Sequence, residues 1–170
     1  MAKALAALAR AAQLSVRSEP SYRRDDADVI AIERPDLTIV GLHRCCFVDV
    51  SVVHSSAPSY VARHAGPRKL MKRVIREKRE KYQALAEAAR ADLIPFVLTS
   101  SGELSKPARK FVKALVMERF HPGENPHEYH AAAQLALRQI SVALQIGNAA
   151  VLRNGMVETV VRIHGAARVD

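Results

Sequence analysis

The chain is 170 residues long, 49% hydrophobic and 25% charged, with no tryptophan, a composition that fits one globular domain with room for a real core. A net charge of +9 favours polyanionic partners, nucleic acid first and an anionic membrane surface second. The two cysteines, Cys45 and Cys46, are adjacent, which excludes a disulfide framework or a zinc site made from them alone and points to a reducing compartment. No uninterrupted apolar run approaches the ~18 residues of a membrane span, so no spanning segment is expected, and of the two polyanionic partners nucleic acid is the one expected, with no membrane.

Residues 2–17 are rich in Ala and Leu, and basic without acids over the first twelve, as transit peptides are. Leu5, Leu8 and Ala12 nevertheless share one face, which predicts a helix belonging to the fold. Ser18 to Asp26, with Pro20, reads as a polar linker. Asp28 to Glu33 predicts a first strand, Arg34-Pro35-Asp36 a turn set by the fixed φ of proline, Leu37 to Gly41 a second strand, and Cys45 to His54 a third. A Ser-, Pro- and Gly-rich loop then runs to Pro67. Met71, Val74, Ile75, Tyr82, Leu85 and Ala89 recur at helical spacing and predict a long helix over 68–91. Leu93 to Leu98 predicts a buried fourth strand, whose Pro95 argues for an edge or a bulge. Ser105 and Pro107 open a helix to Phe120. Asn125 and Pro126 open the last helix, ended by Asn154-Gly155, and its Leu135, Ile140, Val142, Leu144 and Ile146 form core or a dimer seam. The tail carries a β-like Val157–Ile163. The expected class is α/β (α+β), in the order helix, three antiparallel strands, helix, strand, two helices. Its parts are an N-terminal helix and linker (1–26), a main domain (27–155) and a tail (156–170).

With the second and third strands turning at Leu42-His43, Asp36 falls opposite Asp49, Cβ atoms ~5 Å apart. Two carboxylates so close repel unless a cation or a shared proton intervenes. All-oxygen ligands favour Mg²⁺ or Mn²⁺; the alternative is two strand-end acids facing solvent. Lys78 lies at the centre of the long helix's apolar stripe, with Met71 and Ala89 ~20° to one side, Leu85 ~20° to the other and Tyr82 ~40° away. A lysine there snorkels out or meets an anion. If the helix covers the sheet, Lys78 and Tyr82 point at the face carrying the acids. Two acids, a metal and a lysine suit phosphodiester hydrolysis, with Tyr82 positioning phosphate or water. The run Arg68-Lys69, Lys72-Arg73, Arg76, Lys78-Arg79, Lys81 is either a DNA-backbone track or a solvated face. His54 ends the third strand within reach of a substrate. His127 and His130, with His121 and Glu124 or Glu128, have the spacing of a zinc site or are surface residues.

Arg34-Pro35-Asp36, twelve intervening residues, Asp49-Val-Ser-Val, then Glu77-Lys78-Arg-Glu-Lys81-Tyr82 on a helix resembles the PD-(D/E)XK nuclease superfamily. More closely, it resembles the restriction-enzyme-like endonuclease of site-specific LINE-type (non-LTR) retrotransposon reverse transcriptase proteins. Val48–His54, Pro95–Leu98 and Ala143–Val151 are similar to that group too, and the likeness covers roughly 22–155. The resemblance implies an αβββαβ core with a mixed four-stranded sheet and a magnesium-dependent (or manganese-dependent) hydrolase. That endonuclease would nick double-stranded DNA in the nucleus during insertion of a transposable element, with element RNA a further partner. It implies Asp36 and Asp49 as metal carboxylates. Ser51 stands where the superfamily pattern has lysine, and the retrotransposon branch supplies that lysine from the following helix, as Lys78 or Lys81, beside Tyr82; helical phase favours Lys78. Asp28 replaces Asp36 if 34–44 is an insertion. The apolar Leu37–Val40 argues against that. Arg34, His54, Lys69, Lys72, Arg73 and Arg76 are the expected DNA contacts, and an oligomer is allowed. Neither a reverse transcriptase nor zinc knuckles are present in this sequence, so the expectation is a detached domain. The competing expectation is a catalytically inactive, basic nucleic-acid-binding relic of the same fold.

Overall fold

The computed structural model describes residues 1–26, 29–41, 44–54, 66–120 and 123–166, with 23–26, 29–32 and 155–166 described as backbone only. The elements are α1 (Ala2–Ala11), β1 (Ser15–Ser18), β2 (Tyr22–Asp26), β3 (Val29–Glu33), β4 (Leu37–Val40), β5 (Cys46–Val53), α2 (Pro67–Ala88), β6 (Asp92–Thr99), α3 (Lys106–Met117) and α4 (Pro126–Ala166).

The predicted helix over 2–17 is shorter than its composition implies. After Ala12 the chain turns through Gln13 at φ 62°; Gln13 N–H donates to Arg10 O and Leu14 N–H to Ala9 O. That pair of bonds is a Schellman stop, whose usual sign is a glycine, and here glutamine takes the left-handed position. Leu14 is thereby buried and β1 begins. The predicted stop at 91 has the same cause: Arg90 sits at φ 50°, with Arg90 N–H bonded to Glu87 O and Ala91 N–H to Ala86 O.

The released strand β1 takes the place expected for residues 28–33. The main sheet has the order β1-β4-β5-β6. β1 and β4 are antiparallel, as are β4 and β5, whereas β5 and β6 are parallel. The expected linker 18–26 and first strand instead form a separate hairpin, β2–β3. It is the insertion in an otherwise αβββαβ order. Gly41 at the end of β4 has φ +117°, and a Cβ there would meet Leu14 Cδ2 at 2.9 Å, so this corner needs glycine.

Each side of the sheet is covered. Leu37, Ile39, Val48, Phe96 and Leu98 pack with Leu5 and Ala9 of α1, Phe111 of α3 and Ile140 and Leu144 of α4. The other face carries Phe47, Val53 and Val97 against Leu70, Met71, Tyr82 and Leu85 of α2. Burying such side chains stabilises the fold by roughly 1.5–3 kcal/mol each. Pro95 lies on the edge strand β6, where its missing N–H breaks no ladder. Ser105 caps α3 as expected, accepting from Ala108 N–H at 3.4 Å.

The last helix differs most from expectation. It passes through Asn154-Gly155 and runs to Ala166, so the β-like tail is helical. Nothing after Gly155 competes with a helix already formed over the 29 residues Pro126–Asn154. Ile140 and Leu144 are core, whereas Leu135, Val142 and Ile146 are exposed. The stretch Pro126–Asn154 is long and apolar enough to cross a membrane by length and composition, with 17% of its most apolar window buried. Its alanines and scattered glutamines hide that average from a search for an unbroken run.

Arg90→Gly relieves a left-handed backbone that costs a non-glycine residue about 1 kcal/mol. The expected result is a rise in Tm of roughly 2–4 °C in thermal melts by circular dichroism; a fall would show that the arginine side chain contributes more than the strain.

Candidate active site between β4, β5 and α2

Leu37, Thr38 and Ile39 pair with Val48, Phe47 and Cys46, and one residue further the same register sets Asp36 across from Asp49. This is the pairing expected from the hairpin. The buried Pro35 leads the chain into β4. Asp36 is then held at both ends: its carbonyl accepts Glu19 N–H at 2.8 Å and its Oδ2 accepts Val50 N–H at 2.6 Å. The carboxylate therefore reaches onto the β5 backbone beside Asp49.

Asp49 is 3% exposed in a strand of apolar neighbours. Its Oδ2 is buried without a hydrogen bond of proper angle and is met by the Lys78 ammonium at 2.6 Å. Lys78 is itself largely covered, one turn from Tyr82 on the buried face of α2. A buried carboxylate without such a partner costs several kcal/mol. The lysine expected to meet an anion does so. Tyr82 is fully buried and its hydroxyl donates to Arg34 O at 3.2 Å, tying α2 to the chain just before Asp36. Lys81 is exposed, with its ammonium 4.7 Å from the centre of the Tyr82 ring.

Burial pushes the Asp36 carboxyl up from its ordinary value, helped by the charges of Asp49 and Glu19 and opposed by Val50 N–H and Lys78. Burial also raises the Tyr82 hydroxyl, with Asp49 adding to it and Lys81 opposing. Lys81 is raised chiefly by its hydrogen bond with Tyr82, then by the anions Asp49 and Glu33. Glu19 and the buried Glu33 thus belong to the field of this site. Glu33 was signalled in sequence by its nearness to Asp36 and its strand-end position; Glu19, far from Asp36 in sequence, is brought there by the fold alone. Both free cysteines are poor nucleophiles: burial raises Cys45 and pushes Cys46 up to about 11.

The donor set suits a hard divalent ion. Asp36 and Asp49 offer carboxylate oxygens alone, and a cation at Asp49 Oδ2 would share that oxygen with the Lys78 ammonium. Among the described residues no three His, Cys, Asp or Glu groups gather as a metal cage. Mg²⁺ needs no such cage, because it keeps several waters and commonly takes one or two carboxylates.

Other expected residues fall elsewhere. Asp28 lies outside the described residues. His54 is one residue past β5, about 16 Å along the strand from Asp49 at ~3.3 Å per residue, and its Nδ1 is 2.7 Å from Ser100 Oγ. Strand length alone carries it away from the acids. Arg34, Lys69, Lys72, Arg73 and Arg76 are all exposed, but Arg73 pairs with Glu77 and Arg76 with Glu80. His127 and His130 are exposed, and no third ligand joins them among the described residues. No family model and no curated protein matches the chain.

The raised Asp36 pKa has a direct consequence for stability. The folded state holds this proton more tightly than the unfolded state, whose value is near 3.8. The stabilisation is complete below that value and is lost as pH rises through the higher folded value. In a chelator, Asp36→Asn should therefore flatten the fall in Tm between acid and neutral pH. A Tm–pH curve parallel to the wild type would show that Asp36 is not the group responsible.

Proposed function

We propose that the chain is a metal-dependent DNA endonuclease domain of the PD-(D/E)XK type. Its proposed task is to nick target DNA in the nucleus for retrotransposon insertion, with element RNA as a second partner. The observation that carries this reading is the meeting of Asp36, Asp49 and Lys78 at one point of a buried hairpin. The αβββαβ order of the main sheet and the +9 charge support it.

In this reading Asp36 and Asp49 hold Mg²⁺ or Mn²⁺, which supplies activation of the attacking water and shields charge developing on the phosphate. The rest falls to the chain's own groups. Asp36 Oδ2 accepts Val50 N–H, which leaves Oδ1 as the oxygen offered to the ion. Lys78 holds Asp49 in place and presents a cation to the phosphate, replacing the lysine that Ser51 does not provide. Tyr82 keeps Lys78 and the Arg34–Asp36 turn in fixed relation through its bond to Arg34 O. Lys81, exposed beside it, is free to swing onto a phosphate oxygen. Preorganised charge of this kind is worth ~100- to 1,000-fold in rate per group.

A second reading is the inactive binding relic. The 2.6 Å Lys78–Asp49 pair favours it, because the ammonium already neutralises one of the two acids.

Nicking of supercoiled plasmid separates the two. With Mg²⁺ or Mn²⁺ the wild type should relax the plasmid, EDTA should stop it, and Asp49→Ala or Asp36→Asn should slow it at least ~100-fold. Lys78→Ala should cost more than Lys81→Ala. Binding without nicking, equal in wild type and Asp49→Ala, establishes the relic instead. Melting gives an independent measure of the site. Lys78→Ala strands a buried carboxylate and should lose roughly 3–5 kcal/mol of stability, part of which Mg²⁺ restores; no restoration would argue against metal at Asp49.

A further inference from the structure

The outer side of α3 carries Lys106, Arg109, Lys110 and Lys113, all exposed. Their spacing stacks four like charges along one strip of a three-turn helix, a self-repelling arrangement. Among the described residues none of the four is in an ion pair. The contrast with α2 is direct, since there Arg73 and Arg76 are each answered by a glutamate one turn on. The basic run on α2 is the more conspicuous in sequence, but Arg68, Arg73, Arg76 and Lys78 of that run are paired, whereas none of the four cations on α3 is.

That charge borders a groove. Arg79 of α2 and Lys106 and Lys110 of α3 line a groove of about 530 Å³, with Leu93, Ile94 and Pro95 of the open edge strand β6 among its lining. A second groove of about 470 Å³ shares Lys106 and Pro107 and extends to Lys72 and Arg109. The two acids along this path, Asp92 and Glu103, are each met by an arginine, Arg44 at 4.0 Å and Arg68 at 3.5 Å. The path is therefore cationic on both walls and apolar between them. Phe111, its aromatic lining residue, is 4% exposed and offers no stacking platform for a base. Such a groove recognises a backbone, not a sequence. Its lining at Pro95 is paired in register with Asp49, so it lies about one strand spacing, ~4.8 Å, from the strand that bears the candidate site.

We infer that the groove along the β6 edge, between α2 and α3, is a second nucleic-acid contact that holds the phosphodiester backbone of a strand flanking the one presented to Asp36 and Asp49. The inference rests on the endonuclease reading only for the role of that strand; the cationic groove stands without it.

The test is fluorescence anisotropy with a labelled DNA duplex and the corresponding single strand, in EDTA so that no cleavage intervenes, over a series of salt concentrations. The groove variant is Arg79→Gln with Lys106→Gln and Lys110→Gln. A control of equal charge loss, Lys3→Gln with Arg10→Gln and Arg138→Gln, lies on α1 and α4. The groove variant should bind at least about tenfold more weakly, with a log–log salt slope shallower by roughly 2–3; the control should change little. Restoring the charges as lysine at 79 and arginine at 106 and 110 should recover binding, which excludes a folding defect. Weaker binding of the duplex alone assigns the groove to a duplex backbone; weaker binding of the single strand, alone or with the duplex, assigns it to a separated strand. Equal loss in groove and control variants, or none in either, overturns the inference, as does competition by polyglutamate equal to that by DNA. Loss of nicking with groove-dependent binding intact would remove the endonuclease reading and leave the groove standing.

Discussion

A buried carboxylate is the constraint on which this structure turns. Asp49 stands in a strand whose neighbours are Val48 and Val50, covered by α2, where an unpartnered charge would disfavour folding. The Lys78 ammonium 2.6 Å away is the compensation. It dictates much else: α2 must lie over β5 with Lys78 inward, so the apolar residues of that helix must flank a lysine. Tyr82, one turn on, packs with Phe47 and Leu85 and bonds to the Arg34 carbonyl. Helix, hairpin and turn are thus locked to one another around a single ion pair, and any ligand with a stronger claim on Asp49 must compete with Lys78.

Asp36 is built differently. It is half-buried and held by backbone, through Val50 N–H to its carboxylate and through Glu19 N–H to its carbonyl. Its proton is favoured by burial and by the neighbouring acid, and disfavoured by Val50 N–H and Lys78. The two carboxylates therefore sit in unlike surroundings, Asp49 against an ammonium and Asp36 against a backbone N–H.

The distribution of charge carries a separate lesson. A total of +9 says only that polyanions are attracted. Pairing decides where. On α2 the arginines spaced one turn before glutamates are answered within the helix; on α3 no acid intervenes, and the surplus charge faces the groove beside β6. A density of Lys and Arg along the sequence is a poor guide to the electrostatic surface unless the acids at helical spacing are subtracted.

How much was legible follows from the range of the interactions involved. Asp36 opposite Asp49, Lys78 on the buried stripe, the Ser105 cap and Pro95 on an edge strand were all readable, because strand alternation, helical phase and the demands of proline act over a few residues. The two glycine-free helix stops at Gln13 and Arg90 were not, because the left-handed turn there is imposed by packing of Leu14 and Ala91 and leaves no mark in residue type. The first of these stops frees Ser15–Ser18 to form β1, which fills the sheet position that the apolar pattern of residues 28–33 predicts for them. His54 follows the third strand as expected but lies far along it from the acids, because proximity in sequence says nothing about distance along an extended strand. By itself the sequence determined an α/β chain with paired acids, a lysine at helical phase and a surplus of positive charge, all local properties of the chain. Only the tertiary structure decided that Lys78 pairs with Asp49, that β1 completes the sheet, and that the open charge lies along β6, because each depends on which distant segments pack together.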